Sequence, residues 1–462
     1  MSTILKCISP VDGSVYLERE TASSEAIDAA LAKANAAQKD WARKTVAERA
    51  KICTAFVEAF QGEADRHAEE LAWQMGRPIR YGKGEVGGLV ERATYMISVA
   101  EEALRDVQVG EKDGFTRYIK REPVGVVFTI APWNFPYMTA VNSVIPALMA
   151  GNAVILKHAT QTLGCAERFA DAFAAAGLPD GLFQALHLSH QDAADIIGSG
   201  QVNYVSFTGS VRGGSEIEKA ASGHFLGTGL ELGGKDPAYV RADADIDQAV
   251  DGLVDGAMFN SGQSCCGIER IYVHESVYDA FVDGAAKLVS GYKLGSPLDE
   301  ETTLGPVVNA KAANFVRQQI KDAVAAGARA LVSVADFPAD DGEGSYLAPQ
   351  VLVDVDHSMS VMTEESFGPV VGIMKVSSDE EAVALMNDSE FGLTASIWTK
   401  DLAKAVELGD QINTGTFFMN RCDYLDPALA WTGVKNTGRG CSLSKLGYEA
   451  LTRPKSYHLK HA

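Results

Sequence analysis

The sequence predicts an α/β protein of two doubly wound lobes, and three observations carry that expectation. Residues 124–130, 153–156 and 204–207 are short apolar runs rich in β-branched and aromatic residues, as buried parallel strands are. Residues 141–149 form a helical pattern between the first two, so strands and helices alternate. The chain has 462 residues, too many for one small core.

Taken in order, residues 24–60 are Ala-rich and helical. Ile27, Ala30, Leu31, Ala34 and Ala37 recur at helical spacing, with a break near Trp41. A further helix runs through Glu69, Leu71 and Trp73 until Gly76-Arg77-Pro78 ends it. Arg121-Glu122-Pro123 leads into the first strand, and Leu178, Phe183 and Leu186 mark a helix-to-strand connection. After Gly234 the alternation restarts, with 271–273 and 330–332 as strands and 281–288 as a helix. The join between the lobes therefore falls near 232–235. Residues 342–345 read as an exposed turn, and there is no internal repeat.

Composition narrows the function. Apolar residues make up 46% and charged residues 22%, which is ordinary globular usage. A net charge of −20 argues against nucleic acid or an anionic membrane as partner, since both require basic patches. No apolar run reaches the length of a membrane span. The start, Met1-Ser2-Thr3-Ile4-Leu5-Lys6, lacks the apolar core of a secretory signal. Seven irregularly spaced cysteines fit a reducing compartment, and no CxxC pair or HExxH suggests a metal. A cytoplasmic protein without a metal is expected.

Three segments carry chemistry. Residues 259–266, Phe-Asn-Ser-Gly-Gln-Ser-Cys-Cys, set a thiol among polar residues beside a conformationally free glycine. A core cysteine would sit inside an apolar pattern instead. Glu231 opens Glu-Leu-Gly-Gly-Lys, and Asn134 is central to Pro-Trp-Asn-Phe-Pro. A nucleophile, a carboxylate and an amide are the parts that acyl chemistry at a thiol needs. The GxGxxG nucleotide fingerprint is missing. In its place, Phe-Thr-Gly-Ser-Val-Arg-Gly-Gly (207–214) follows a strand and precedes a helix, bringing Gly209 and Ser210 to a helix N-terminus. That is either a phosphate cradle or a tight turn. Lys157, at a strand end, is either a ligand contact or a solvated lysine.

Together these segments resemble the aldehyde dehydrogenase superfamily, nearly end to end, from Ser9-Pro10-Val11-Asp12-Gly13 to the region of Tyr457. The motifs are residues 132–136, 231–235, Gly262-Gln263-Ser264-Cys265, residues 364–370 and residues 387–395. The resemblance implies a Rossmann-like cofactor domain (1–110 and 123–233), a catalytic domain (234–436) and a small β oligomerisation arm (111–122 and 445–462). A homodimer or homotetramer follows from the arm.

It also implies roles. Cys265 is the nucleophile toward a small-molecule aldehyde, Asn134 and the Cys265 N–H stabilise the oxyanion, and Glu231 activates the hydrolytic water. Cys266 is a neighbour able to oxidise against Cys265. Trp133, Lys157, Thr160, Gly209, Ser210, Glu365 and Phe367 hold the cofactor. Many members that prefer NAD carry Glu at the Thr160 position; its absence, beside Lys157, points to NADP, with NAD tolerated. Phe135, Asn142, Phe259 and Arg421 frame the substrate. Members acting on succinate semialdehyde often carry arginines at the 142 and 259 positions, which are Asn142 and Phe259 here. Arg421 is left either to bind a substrate carboxylate or to pair with Asp423 or Asp426. Residues 430–435 and 438–441 depart from the family pattern.

The expected substrate is a small or medium aliphatic aldehyde, with a semialdehyde as alternative. A coenzyme-A-acylating member is disfavoured by Glu231. A binding protein without turnover is disfavoured by the intact Cys265, Glu231 and Asn134. A cysteine hydrolase would need a histidine paired with Cys265.

Overall fold

The computed structural model describes residues 3–462; Met1 and Ser2, where the N-terminal reading begins, lie outside them. Two mainly parallel sheets dominate. The first has six strands in the order Gly438–Arg439, Gly227–Glu231, Tyr204–Thr208, Val126–Ala131, Ala153–His158, Phe183–Ala185. Only its first strand is antiparallel to its neighbour. Val126–Ala131 and Ala153–His158 are buried along their whole length, which explains their unbroken apolar runs.

The second sheet has seven strands, in the order Arg329–Ala330, Gln350–Val353, Val370–Val376, Ile268–His274, Asp236–Val240, Thr394–Trp398, Thr416–Met419. The chain leaves the first sheet at Glu231 and enters the second at Asp236. A separate antiparallel sheet joins Val107–Gln108, Phe115–Pro123 and Thr452–Lys460. No helix among the described residues is long and apolar enough to cross a membrane.

The expected helical run over residues 24–60 is two helices, Ser24–Trp41 and Val46–Gly62, the second opened by a Thr45–Glu48 capping box. Ala64–Met75 follows and stops at Gly76, whose φ is +82°. The strand expected over 330–332 is shorter: Arg329–Ala330 forms it. Beyond it, the Gln350 side chain takes over the pairing, accepting from Val332 N (2.9 Å) and donating to Val332 O (2.8 Å). One long element had no counterpart in the sequence reading, the helix Ile79–Ala103.

Candidate active site

The thiol loop is built by left-handed backbone. After the helix Ile246–Met258 the chain turns through Asn260 (φ 53°), Ser261 (56°) and Gly262 (71°). A Cβ on Gly262 would drive into the Gly368 carbonyl, so glycine is required on steric grounds as well as conformational ones. Side chains then pin the loop. Ser261 Oγ donates to Gly305 O (2.8 Å), Gln263 Oε1 accepts from Val308 N (2.7 Å), and Asn260 Nδ2 donates to Gln263 O (3.1 Å).

The Asn134 segment is tied to the same loop. Asn134 Nδ2 donates to Gln263 O (3.2 Å), two residues before Cys265. The buried Arg77 guanidinium donates to Asn134 O (2.7 Å) and to Asn260 Oδ1 (3.2 Å), and pairs with buried Glu85. Glu85 in turn accepts from Tyr137 N (2.9 Å) at the start of the helix Pro136–Met149. Arg77 thus joins the two motif loops through backbone and side-chain acceptors.

Cys265 is half-buried and opens into a cavity of about 340 Å³. Cys266 is buried; its Sγ and the Ser264 hydroxyl both donate to Asp423 Oδ1, at 3.0 and 2.9 Å. Contact with the Cys265 sulfur and burial hold the Cys266 thiol well above its ordinary value. Cys265 is therefore the accessible sulfur of the pair. Glu231, at the end of its strand, faces the same cavity. Its carboxylate accepts from Ser442 Oγ (2.5 Å) and Thr208 Oγ1 (3.1 Å). Burial raises its pKa, while those two hydrogen bonds and the nearby Arg92 hold the rise in check.

Phe135, Asn142 and Phe259 line the cavity, with the two phenyl rings stacked at 6.4 Å. Asn134 is buried and is not in the lining. Arg421 is also absent from the lining: it is exposed and lies 3.6 Å over the Tyr424 ring. The expected pairing of Arg421 with Asp423 or Asp426 is not formed, because Asp423 is turned inward to Ser264 and Cys266 and Asp426 caps Ala428 N. Arg92 and Trp431 are lining residues that sequence reading missed. Residues 430–435, where the chain departs from the family pattern, supply Trp431, and Ser442 directly follows the second departure at 438–441.

A second cleft, of about 730 Å³, contains Trp133, Lys157, Gly209 and Ser210. Thr208 lines both spaces, so they meet beside Glu231. Lys157 is only 4% exposed, and its ammonium has a single acceptor, His158 O at 3.3 Å; burial brings its pKa down to about 8. Ser210 caps the helix Val211–Ala221, whose first turn faces the cleft. A buried cation with spare donors beside a helix N-terminus suits a dinucleotide pyrophosphate.

Thr160 is not in the lining; it begins the turn Thr160–Thr162. His190 and Arg212, not singled out from the sequence, do line the cleft. Glu365 accepts from Gly234 N (2.9 Å), and burial with neighbouring Glu269 raises its pKa to about 7. Phe367 (φ 52°) meets the Trp133 ring edge-on at 5.6 Å. Glu269 holds this segment by accepting from Ser366 N (2.8 Å), Phe367 N (2.9 Å) and Lys235 Nζ (2.5 Å).

The model of the aldehyde dehydrogenase family matches residues 2–457. The chain belongs to the aldehyde dehydrogenase family. It is 36% identical over 459 residues to an aldehyde dehydrogenase of Paenarthrobacter nicotinovorans, covering 97% of this chain and 98% of that protein. It is 35% identical over 445 residues to the NADP+ succinate-semialdehyde dehydrogenase 1 of Mycobacterium tuberculosis, with 95% and 96% covered. The structure of succinic semialdehyde dehydrogenase from Streptococcus pyogenes, in complex with NADP+, superposes with a TM-score of 0.94 at 30% identity. That match covers 99% of this chain and 100% of the other. As a member, this aldehyde dehydrogenase is an NAD(P)-dependent oxidoreductase that oxidises aldehydes.

Proposed function

We propose that this aldehyde dehydrogenase converts an aldehyde to the free carboxylic acid in two stages on Cys265, with Glu231 as the base of the second. The observation that carries the reading is the shared cavity: an accessible sulfur and a half-buried carboxylate of raised pKa face one space. Cys265 Sγ attacks the aldehyde carbon, forming a C–S bond and a tetrahedral oxyanion. The Cys265 N–H and the second amide hydrogen of Asn134 stabilise that oxygen; each such donor is worth about 10²–10³ in rate. A bound nicotinamide cofactor supplies the two-electron acceptor for the carbon–hydrogen bond. Glu231 takes a proton from water as its oxygen attacks the resulting thioester, and the C–S bond breaks to free the acid and the thiolate.

Trp133, Lys157, Gly209, Ser210, Glu365 and Phe367 hold the cofactor. NADP is preferred over NAD, supported by Lys157, His190 and Arg212 in a cleft whose carboxylate is Glu216, and by the NADP+ relatives. The lobe of residues 1–110 and 123–233 carries the cofactor, and 234–436 carry the thiol. Segments 111–122 and 445–462, paired with each other within the chain, form the arm that meets a second subunit. Seven free thiols support a cytoplasmic setting.

The stacked Phe135 and Phe259 favour a small or medium aliphatic aldehyde. A semialdehyde is the second reading, favoured by Arg92 in the cavity wall. The test is Cys265→Ala. It should abolish oxidation and leave the cofactor dissociation constant within about twofold. Turnover above a few per cent of wild type would move the nucleophile to Cys266 and overturn the reading.

A further inference from the structure

The wall of the cavity around Cys265 carries more negative charge than the proposed reaction uses. Four carboxylates line it, those of Glu91, Glu231, Asp255 and Asp423, against one cation, Arg92. Arg92 is buried and lies near Glu231 and Asp423, whose charged forms it favours, so its own charge is balanced inside the cavity. The excess is at the opening. Gly84, Glu91 and Asp255 are the lining residues exposed to solvent, and they mark where the cavity meets water. That rim has two carboxylates and no cation.

Asp255, on the helix Ile246–Met258, has neither a hydrogen-bond donor nor a paired cation among the described residues; burial and the like charge of Asp423 push its carboxyl up. Asp423 takes Ser264 and Cys266 on Oδ1 alone, which leaves Oδ2 without a partner among the described residues. Asn142 is an independent observation in the same wall. It comes from the helix Pro136–Met149, is 4% exposed, and neither its Oδ1 nor its Nδ2 has a partner. Buried polar groups in native proteins are nearly always satisfied. An unpartnered amide in a wall of unneutralised carboxylates calls for a cationic hydrogen-bond donor that the chain does not supply.

We propose that this cavity takes aldehydes whose far end is an ammonium, held by Asp255 and Asp423 with one N–H donated to Asn142 Oδ1. This deepens the reading of Cys265 and Glu231 as the reacting pair and rests on it. The three N–H donors of an ammonium match three acceptors, the Asp255 carboxylate, Asp423 Oδ2 and Asn142 Oδ1. A cation there also relieves the repulsion between the two carboxylates. Phe259 and Trp431 line the same space and offer ring faces, which attract cations. Glu91 accepts from the Tyr424 hydroxyl at 2.8 Å and adds charge at the entrance. The same rim repels an aldehyde that carries a carboxylate, and so opposes the semialdehyde alternative.

The experiment compares kcat/KM for 3-ammoniopropanal, butanal and 4-oxobutanoate in wild type, Asp255→Asn, Asp423→Asn and Asn142→Leu at low ionic strength. The first two aldehydes have the same length and differ in charge, so their ratio cancels any general loss of activity. Wild type should favour 3-ammoniopropanal over butanal by more than about tenfold, carried by KM. Asp255→Asn should lower that ratio by at least about fivefold and raise kcat/KM for 4-oxobutanoate. A wild-type ratio near one, a ratio unmoved by Asp255→Asn, or preference for 4-oxobutanoate over both would overturn the proposal. Asp255 has no partner to lose, so Asp255→Asn decides alone should either of the other variants not fold. Protection of Cys265 against iodoacetamide reads the same site without turnover. Propylammonium should protect better than butanoate in wild type and lose that advantage in Asp255→Asn; an equal advantage in both enzymes would also overturn it. Were none of the three aldehydes oxidised, the Cys265–Glu231 reading would fall, and the protection assay would still decide the ammonium site.

Discussion

As the proposed base, Glu231 must be ionised when water attacks the thioester, yet its half-buried carboxylate sits where desolvation disfavours ionisation. Ser442 and Thr208 resolve the conflict by donating hydrogen bonds to the charged form. The sign of the pH dependence follows. A base of raised pKa loses activity as pH falls through that pKa, so the acid limb of kcat lies above the ordinary carboxylate range. Ser442→Ala removes a donor to the anion, raises the pKa further and moves the limb to higher pH. A kcat–pH profile checks this; a limb unchanged in Ser442→Ala would detach Ser442 from the base. At this scale the sequence was legible where partners are neighbours in the chain. Cys265, Glu231 and Asn134 stand in short motifs whose glycines and prolines mark the backbone they need. Ser442, Asp423 and Arg92 were not legible, because each reaches the site from a distant element. Ser442 lies 211 residues from Glu231, and no local pattern links them.

Among elements, the helix Ile79–Ala103 decides how the site is assembled. It was invisible in the sequence because Gly82, Gly84, Gly87 and Gly88 read as breakers. Packing accounts for two of them. A Cβ on Gly82 would come within 2.5 Å of Ala68 Cβ, and one on Gly88 would strike the Met138 side chain, so small residues let these helices approach closely. The parallel strands were legible because full burial leaves continuous apolar runs. The end of the strand over 330–332 was not, since after a last backbone bond from Leu331 N to Val351 O the Gln350 side chain replaces the ladder at Val332. Immediately before the long helix, Arg77 ties the Asn134 and Cys265 loops together and pairs with Glu85. Arg77→Met leaves Glu85 buried and unpaired, so it should destabilise the protein by about 3–5 kcal/mol. It should also lower kcat more than it raises KM, because the loops lose their common anchor. Denaturant unfolding together with steady-state kinetics measures both. Wild-type stability in the variant would show that the pair contributes nothing to assembly.

For the whole molecule, the proposed function divides the labour between the first sheet for cofactor, the second sheet for the thiol and the antiparallel arm for assembly. The arm strand Thr452–Lys460 pairs with Phe115–Pro123 on one side only and carries exposed Leu459. An unpaired edge of nine residues invites a second copy. A homodimer or homotetramer is expected by light scattering at micromolar concentration, and a monomer would remove the arm's role. In the proposed function the two lobes act together: a thiol held by one is deacylated by a carboxylate at the edge of the other. Rapid-mixing absorbance of Glu231→Gln at the reduced-nicotinamide band tests it most directly. The variant should give a burst of about one equivalent of reduced cofactor per active site, followed by turnover at least about a hundredfold slower than wild type. Steady turnover at the wild-type rate with no burst would contradict it.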